Sequence, residues 1–226
     1  MSTNNSNVVL TAVKSVIVNA SYHISDGNKK LVPNKETAFL IWNIPAVVTC
    51  PFKTKMCSSA CYAIKAEKAY KQVLPSRKDN LKMSLLPSFV DDMTDIILNK
   101  ARKTRKPRLI VRIHESGDFY NKAYADKWLQ IIRNCECESK ITFIAYTKSF
   151  AFFDGIELPK NFKLRASVWS DTDASQLEII KRNGWSIYTA VEKFTDHDDF
   201  HQCRCSDCAS CGKCWSDEKL ICCEIH

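Results

Sequence analysis

The chain has 226 residues, 45% of them hydrophobic, which suits one sizeable globular domain. No run approaches the roughly 20 apolar residues needed to span a bilayer, and the start "MSTNNSNVVL" lacks the pattern of a secretory signal. The sequence therefore excludes a membrane-spanning helical protein and predicts a soluble, cytoplasmic one; its formal charge of +8 is unevenly spread.

The chain is expected to begin with a β-rich extension over residues 1–37, with two short strands between Val8 and Val32 around the turn Ser25-Asp26-Gly27-Asn28. An α/β core over 38–195 follows. "AFLIWNIPAVV" is predicted as a buried strand leading into a cysteine loop, and residues 60–74 as a helix. "SLLPSFVDDMTDIILNKARK" predicts a longer amphipathic helix with Pro87 near its start. Its basic end, "KARKTRKPR" at 100–108, is a candidate surface for nucleic acid or a partner protein. The simpler reading is a cationic last turn stopped by Pro107.

A second strand is predicted in "RLIVRIHESGDFY", then a helix over 121–134 with Asn121 as its cap and Tyr124, Trp128, Ile131 and Ile132 on one face. "ITFIAYTKS" and "FKLRASVWSD" are the third and fourth strands, "ASQLEIIKRNG" is a helix ended by Gly184, and "WSIYTAVEKF" is the fifth strand. Alternating strands and helices imply parallel pairing with right-handed crossovers. The expected fold is a partial (β/α) barrel or open parallel sheet, followed by a Cys-rich tail over 196–226 packed on the core.

Each predicted strand is apolar in its body and turns polar at its C-terminal end. Cys50 follows the first, His114, Glu115 and Asp118 the second, and Tyr146, Thr147 and Lys148 the third. Ser167, Trp169, Ser170 and Asp171 follow the fourth, and Glu192 and Lys193 the fifth. In parallel α/β folds these ends converge on one face, where binding and catalytic groups collect.

Twelve cysteines in a reducing compartment are poor candidates for disulfides, which leaves metal ligation or inert burial. Two groups stand out. Cys50, Cys57 and Cys61 lie in one loop behind a strand, as three ligands of a [4Fe–4S] cluster would. "CRCSDCASCGKCW" supplies Cys203, Cys205, Cys208, Cys211 and Cys214, with Cys222, Cys223 and His226 behind it. Repeated two-residue gaps let one loop wrap a cubane; zinc is the competing metal, since four thiolates, or three and a histidine, close a tetrahedral site. Cys135 and Cys137 read as ordinary thiols. A single site shared by both cysteine groups, pinning the chain ends together, is a further arrangement.

"TCP" with the cysteines and "CYA" behind it, then "RIHESGDF", "AYTKS" and "CGKCW" resemble, in this order, the phage gene product 88-like family over roughly residues 38–226. That resemblance implies a viral setting and no defined activity. More distantly, the chain is similar to radical S-adenosylmethionine enzymes, which carry three cysteines after the first strand of a partial barrel and a Gly-containing acidic motif after the second. Here Cys50, Cys57 and Cys61 take the first place and Ser116-Gly117-Asp118 the second, although the loop is C-x6-C-x3-C rather than C-x3-C-x2-C. The similarity implies a cluster with one open iron for S-adenosylmethionine or a substrate. Ser116, Gly117, Asp118, Tyr146 and Ser167 would then bind the cofactor, Asp118 meeting its ammonium, and His114, Glu115, Asp118, Lys148 and Glu192 would serve as polar or acid–base groups. Two other readings stand beside this: a metal-stabilised phage protein that binds nucleic acid or a host protein, and a hydrolase holding a divalent ion on His114, Glu115 and Asp118.

Overall fold

Thr37–Trp42 is buried at every position, as a central parallel strand must be when both of its faces are covered. It is β2 of an eight-stranded sheet in the computed structural model, which describes residues 21–196, 198–204 and 207–225. The others are β1 (Ile24–Ser25), β3 (Arg108–Ile113), β4 (Ile141–Thr147), β5 (Phe162–Val168), β6 (Ser186–Val191), β7 (His201–Gln202) and β8 (Leu220–Glu224). Their order is β1-β2-β3-β4-β5-β6-β8-β7. Only β1 runs antiparallel to its neighbour; every other pairing is parallel.

The helices are α1 (Lys55–Ser59), α2 (Tyr62–Ala69), α3 (Val73–Leu85), α4 (Phe89–Lys103), α5 (Lys122–Asn134), α6 (Ala174–Asn183) and α7 (Cys208–Cys211). Residues alternate in direction along each strand, so the two faces can be told apart by what packs on them. Leu40, Trp42, Val111, Ile113, Phe143, Ala145 and Leu164 meet α4 and α5 through Phe89, Met93, Ile97, Tyr124 and Trp128 in the main core. The other set, Phe39, Ile110 and Ile144, packs against Ala209, Cys214 and Trp215 of the tail. Helices cover one face and the Cys-rich tail the other.

Arg165 on β5 fixes the tail. It is 1% exposed and donates to the carbonyls of Lys213 (3.1 Å), Cys214 (3.0 Å), Ser216 (2.9 Å) and Glu218. One guanidinium thus satisfies four acceptors of an irregular segment that has few bonding partners of its own. β8, which follows that segment, pairs with β6 and extends the core sheet. The tail is therefore part of the sheet as well as a cover on it.

Several sequence expectations need adjustment. Residues 1–20 lie outside the described residues, so of the two N-terminal strands only β1 is seen. The helix expected over 60–74 is two, because Tyr70 is extended (φ −120°, ψ 113°) and α3 restarts at Val73 with Pro75 in its first turn, where a missing N–H costs nothing. α3 runs to Leu85 and stops because Leu86, which precedes Pro87, is forced into an extended conformation. The helix expected from Ser84 therefore begins only at Phe89. Residues 100–103 do form a cationic last turn, with Lys100 bonded to Asp26 at 2.7 Å. The helix from Lys122 starts as expected, with Asn121 Oδ1 accepting from the Tyr124 N–H at 2.8 Å.

Arg165→Met should leave carbonyls of the tail without donors and cost about 3 kcal/mol of stability. Urea unfolding measures the loss, and limited proteolysis should cut the variant first within the tail.

Candidate metal and cofactor site at the strand ends

The loop after β2 is built to present thiols. Val47 takes a left-handed conformation (φ 65°), unfavourable for a β-branched residue, and its carbonyl accepts from the Cys50 N–H at 3.2 Å. Thr49 Oγ1 donates to Pro45 O at 2.6 Å. Behind the loop, the buried pair Arg77–Glu67 (2.9 Å) aims Glu67 at the Ala46 N–H (2.8 Å), while Arg77 also donates to Ala63 O. Cys57 lies in α1, its N–H capped by Thr54 Oγ1 at 3.2 Å, and Cys61 caps α2.

The loop after β3 locks onto this one. Ser116 Oγ donates to Ile44 O at 3.0 Å, and Asn43 Oδ1 accepts from the N–H groups of Glu115 (2.7 Å) and Ser116 (2.9 Å). Gly117 has φ +81°, and a Cβ there would stand 2.4 Å from Ile44 Cγ1 and 2.6 Å from Thr49 Oγ1, so only glycine lets the two loops approach. Asp118 then reaches toward β4. Its Oδ1 accepts from Thr147 Oγ1 (2.5 Å) and the Phe119 N–H (2.8 Å), and its Oδ2 from the N–H groups of Lys148 (2.9 Å) and Ser149 (3.3 Å). Burial pushes this carboxyl up, while those donors pull it down. Burial wins and leaves the carboxyl's pKa raised, although three of those donors are backbone N–H groups, which can only donate and so favour the ionised form.

Lys148 is 6% exposed, and its Nζ donates to Ser167 Oγ at 2.8 Å and Ser167 O at 3.1 Å, 5.4 Å from the Trp169 ring centre. Burial lowers its pKa, against the fields of Cys57, Asp118, Asp171 and Cys50. The loop after β5 completes the enclosure: Asp171 Oδ2 accepts from the Met56 N–H at 2.9 Å, and Ser170 Oγ lies 2.9 Å from Met56 Sδ. Cys50, Cys57 and Cys61 stand within electrostatic reach of one another, and Cys50 and Cys57 also of Asp118, with Lys148 and Asp171 beside Cys57. Burial pushes the Cys50 thiol up to about 12 and raises that of Cys57, which Lys148 offsets in part.

The structure thus gathers Cys50, Cys57, Cys61, Asp118, Lys148 and Ser167, and adds Trp169 and Asp171 to them. It sets other residues elsewhere. His114 is 3% exposed with φ 61°, on the helix side of the sheet, its Nε2 2.9 Å from Tyr124 Oη among Phe119, Tyr124 and Trp128. Burial, helped by Arg112, lowers its pKa to about 3, so it is neutral and no proton carrier near neutral pH. Glu115 binds Asn28 (2.5 Å) and Asn43 (3.4 Å) through its carboxylate, and its carbonyl accepts from Tyr62 Oη. Among the described residues it shares no hydrogen bond with Lys148 or Asp118. Glu192 is exposed beyond β6.

Tyr146 points to the tail face, under Arg112 at 3.7 Å and packed in one cluster with Cys214. Cys203, Cys208, Cys211 and Cys214 lie on that second face, whereas Cys205 and His226 fall outside the described residues. Cys135 is buried in the main core and Cys137 is exposed, as expected for ordinary thiols.

Among the described residues, no three His, Cys, Asp or Glu side chains converge as a single bound ion requires. Around Zn²⁺ the ligand sulfurs would stand about 3.8 Å apart, given a Zn–S bond near 2.3 Å. A cubane makes a different demand, since each thiolate binds its own iron at a separate corner.

Fold and site together describe an α/β protein with a mostly parallel sheet, three cysteines in a loop and short helices at its strand ends and a Cys-rich tail on its second face. The chain belongs to the Gene product 88 family, whose model matches residues 22–217. It is 31% identical over 106 residues to the Gene 88 protein of Mycobacterium phage D29, covering 44% of this chain and 42% of the relative. It is 31% identical over 105 residues to the Gene 88 protein of Mycobacterium phage L5, covering 44% of this chain and 43% of the relative. The chain thus spans less than half the length of the curated relatives it matches. No solved structure matches it. No helix among the described residues is long and apolar enough to cross a membrane.

Two outcomes follow from this geometry. Asp118→Asn would turn an amide NH2 toward backbone N–H donors and should cost about 2 kcal/mol, with faster hydrogen exchange at Lys148 and Ser149 as the local signature. His114 binds a proton in the unfolded chain below 6.5 but in the folded one only near 3, so its contribution to stability is present above 6.5 and is lost as pH falls toward 3. Unfolding free energy should drop by up to about 1.4 kcal/mol per pH unit within that window, and His114→Gln should remove that part of the slope.

Proposed function

We propose that this protein is an iron–sulfur protein of the radical S-adenosylmethionine kind. In this reading Cys50, Cys57 and Cys61 supply three thiolates to a [4Fe–4S] cluster at the strand ends, and the tail thiols hold a second centre. The observation that carries it is the gathering of those three thiols beside Lys148, enclosed by the loops after β3, β4 and β5. The sequential order β2-β3-β4-β5-β6, with the helices on one face, is the winding that a partial (β/α) barrel would use.

When bound, such a cluster supplies one-electron chemistry and an open iron for an amino acid chelate. The residues around it have separable parts. Lys148 sets a cation beside Cys57, which offsets thiolate charge and offers a partner for a ligand carboxylate. Ser167 holds that ammonium in place, and Trp169 covers it. Asp171 ties the cysteine loop to β5 through Met56. Asp118 acts as a brace, since its carboxylate oxygens are already bonded to β4.

Purification without oxygen should give a brown protein absorbing near 400 nm, with about eight iron and eight sulfide per chain if both groups hold cubanes. Cys57→Ala with Cys61→Ala should then remove about half the iron. Zinc alone, at one or two per chain, would overturn the iron–sulfur reading. S-adenosylmethionine added to the reduced protein should change the paramagnetic resonance of the strand-end cluster; an unchanged spectrum would leave a metal protein but not a radical enzyme.

A further inference from the structure

Six of the nine residues from Lys100 to Arg108 are cationic and none is acidic. Lys100 is accounted for by Asp26, to which it is bonded at 2.7 Å. Lys103 closes α4, and Thr104 is extended (φ −78°, ψ 132°), its N–H donating to Lys100 O. A helix dipole favours cations only within the last turn, so it explains Arg102 and Lys103 but not Arg105, Lys106 and Arg108, which lie beyond it. The Lys106 N–H donates to Thr104 Oγ1 at 3.3 Å, and the Arg108 N–H to Glu36 O at 3.0 Å, which sets Arg108 at the start of β3.

Lys140 joins them from the next strand. The Leu109 N–H donates to Lys140 O at 2.9 Å and Leu109 lies opposite Ile141, so Lys140 is level with Arg108, about 5 Å away across the sheet. Its Nζ turns back to Thr104 O at 3.4 Å. Arg102, Lys103, Arg105 and Arg108 are exposed, and Lys106 and Lys140 are half-buried. Glu36 precedes β2, and Glu136 and Glu138 precede β4, yet among the described residues none of these six cations forms an ion pair.

We infer that Arg102, Lys103, Arg105, Lys106, Arg108 and Lys140 form a docking surface for the phosphate backbone of double-stranded DNA. The surface lies where the parallel strands start, whereas Cys50, Cys57 and Cys61 lie where they end. It goes beyond the metal reading and does not depend on it. Like charges crowded without counterions repel one another and cost stability. A polyanion of closely spaced charges offsets that cost, and a duplex presents one phosphate per about 1.7 Å of its axis. Three of the six are arginines, whose planar fork takes phosphate oxygens two at a time. The large exposed apolar residues among those described are Val32, Val48, Tyr62, Tyr70, Leu85 and Leu177, none of them in 100–108. The stretch therefore lacks both the aromatic platform on which unpaired bases stack and the apolar anchor that dominates an interface with another protein. Thr104 is its only neutral hydrogen-bonding side chain, and its hydroxyl already accepts from Lys106, so nothing there is set to read the 2′-hydroxyl that marks RNA. Contacts of this kind hold a protein on a duplex without reading its sequence.

The test follows the fluorescence anisotropy of a labelled DNA duplex of about two helical turns, titrated with the whole, anaerobically purified protein between about 50 and 200 mM salt. The logarithm of the binding constant should fall with that of salt with a slope of about −5 if all six cations meet phosphates. Arg105→Gln, Lys106→Gln and Arg108→Gln together should weaken binding at least about tenfold at the lower salt and flatten the slope by about 3. Arg102→Gln with Lys103→Gln stands on the helix alone, tests the surface independently of β3, and should flatten the slope by about 2. Lys68→Gln, Lys71→Gln and Lys78→Gln remove the same charge at exposed positions in and between α2 and α3, and should flatten it by less than about 1. An equal effect of this control would overturn the surface, since net charge alone would then explain binding. Absence of duplex binding at the lower salt would overturn it outright. Binding about tenfold tighter to a single strand of the same length, to an RNA duplex or to polyglutamate would overturn double-stranded DNA as the occupant, in favour of unpaired bases, RNA or an acidic protein respectively. Metal content enters none of these outcomes, so the failure of this inference and of the metal reading are told apart.

Discussion

The carboxylate of Asp118 sits where the loops after β3 and β4 meet, and the geometry of the strand-end face follows from it. A buried acid that accepts from Thr147, Lys148, Ser149 and Phe119 fixes the direction in which β4 leaves the sheet. Lys148 inherits its position from that bond and passes it on through Ser167. On the other side, Gly117 and Ser116 bring the same loop against Ile44 and Thr49, immediately before Cys50. One short segment, Ser116-Gly117-Asp118, therefore couples three strand ends. Its residues contribute by bracing, which is a different demand from touching a ligand.

The opposite face depends on a cation rather than an anion. Arg165 is buried because the backbone carbonyls of the tail replace its water, and those carbonyls are satisfied because Arg165 is there. The same strand, β5, thus bears Arg165 toward the tail and, next to its last residue, Ser167, which holds Lys148. Pinning the tail makes β2 a doubly buried strand and places Cys214 against the sheet. The sheet acts as a partition between two thiol groups: one at the strand ends with a lysine beside it, the other beneath the tail with two tyrosines and an arginine.

Much of the fold was legible because it is local. The apolar runs at 38–42, 109–113, 141–147, 162–168 and 186–191 each carry a strand, and the caps at Asn121 and Gly184 mark the helix boundaries where the sequence puts them. The split at Tyr70 was harder to read, since residues 60–74 and 84–103 are each periodic and α3 lies between them with a weak apolar stripe. Pro75 was the available signal, as a residue tolerated only in a first helical turn. Among the candidate site residues, Cys50, Cys57, Cys61, Asp118, Lys148 and Ser167 lie together. His114 and Tyr146 belong to other surroundings, because a strand end also has two faces and a polar residue there can turn into the core.

By itself the sequence determined the alternation of strands and helices, the polar character of the strand ends and the thiol-rich chemistry, since propensity, capping and side-chain type are properties of short segments. Tertiary structure alone decided which polar residues meet at the strand ends, that Asp118 is occupied as a brace, that β8 joins the sheet beside β6, and that Cys223 rather than its neighbour Cys222 faces Cys203. These depend on register between strands distant in the chain and on which way each pleat turns. A one-residue slip would exchange every one of them.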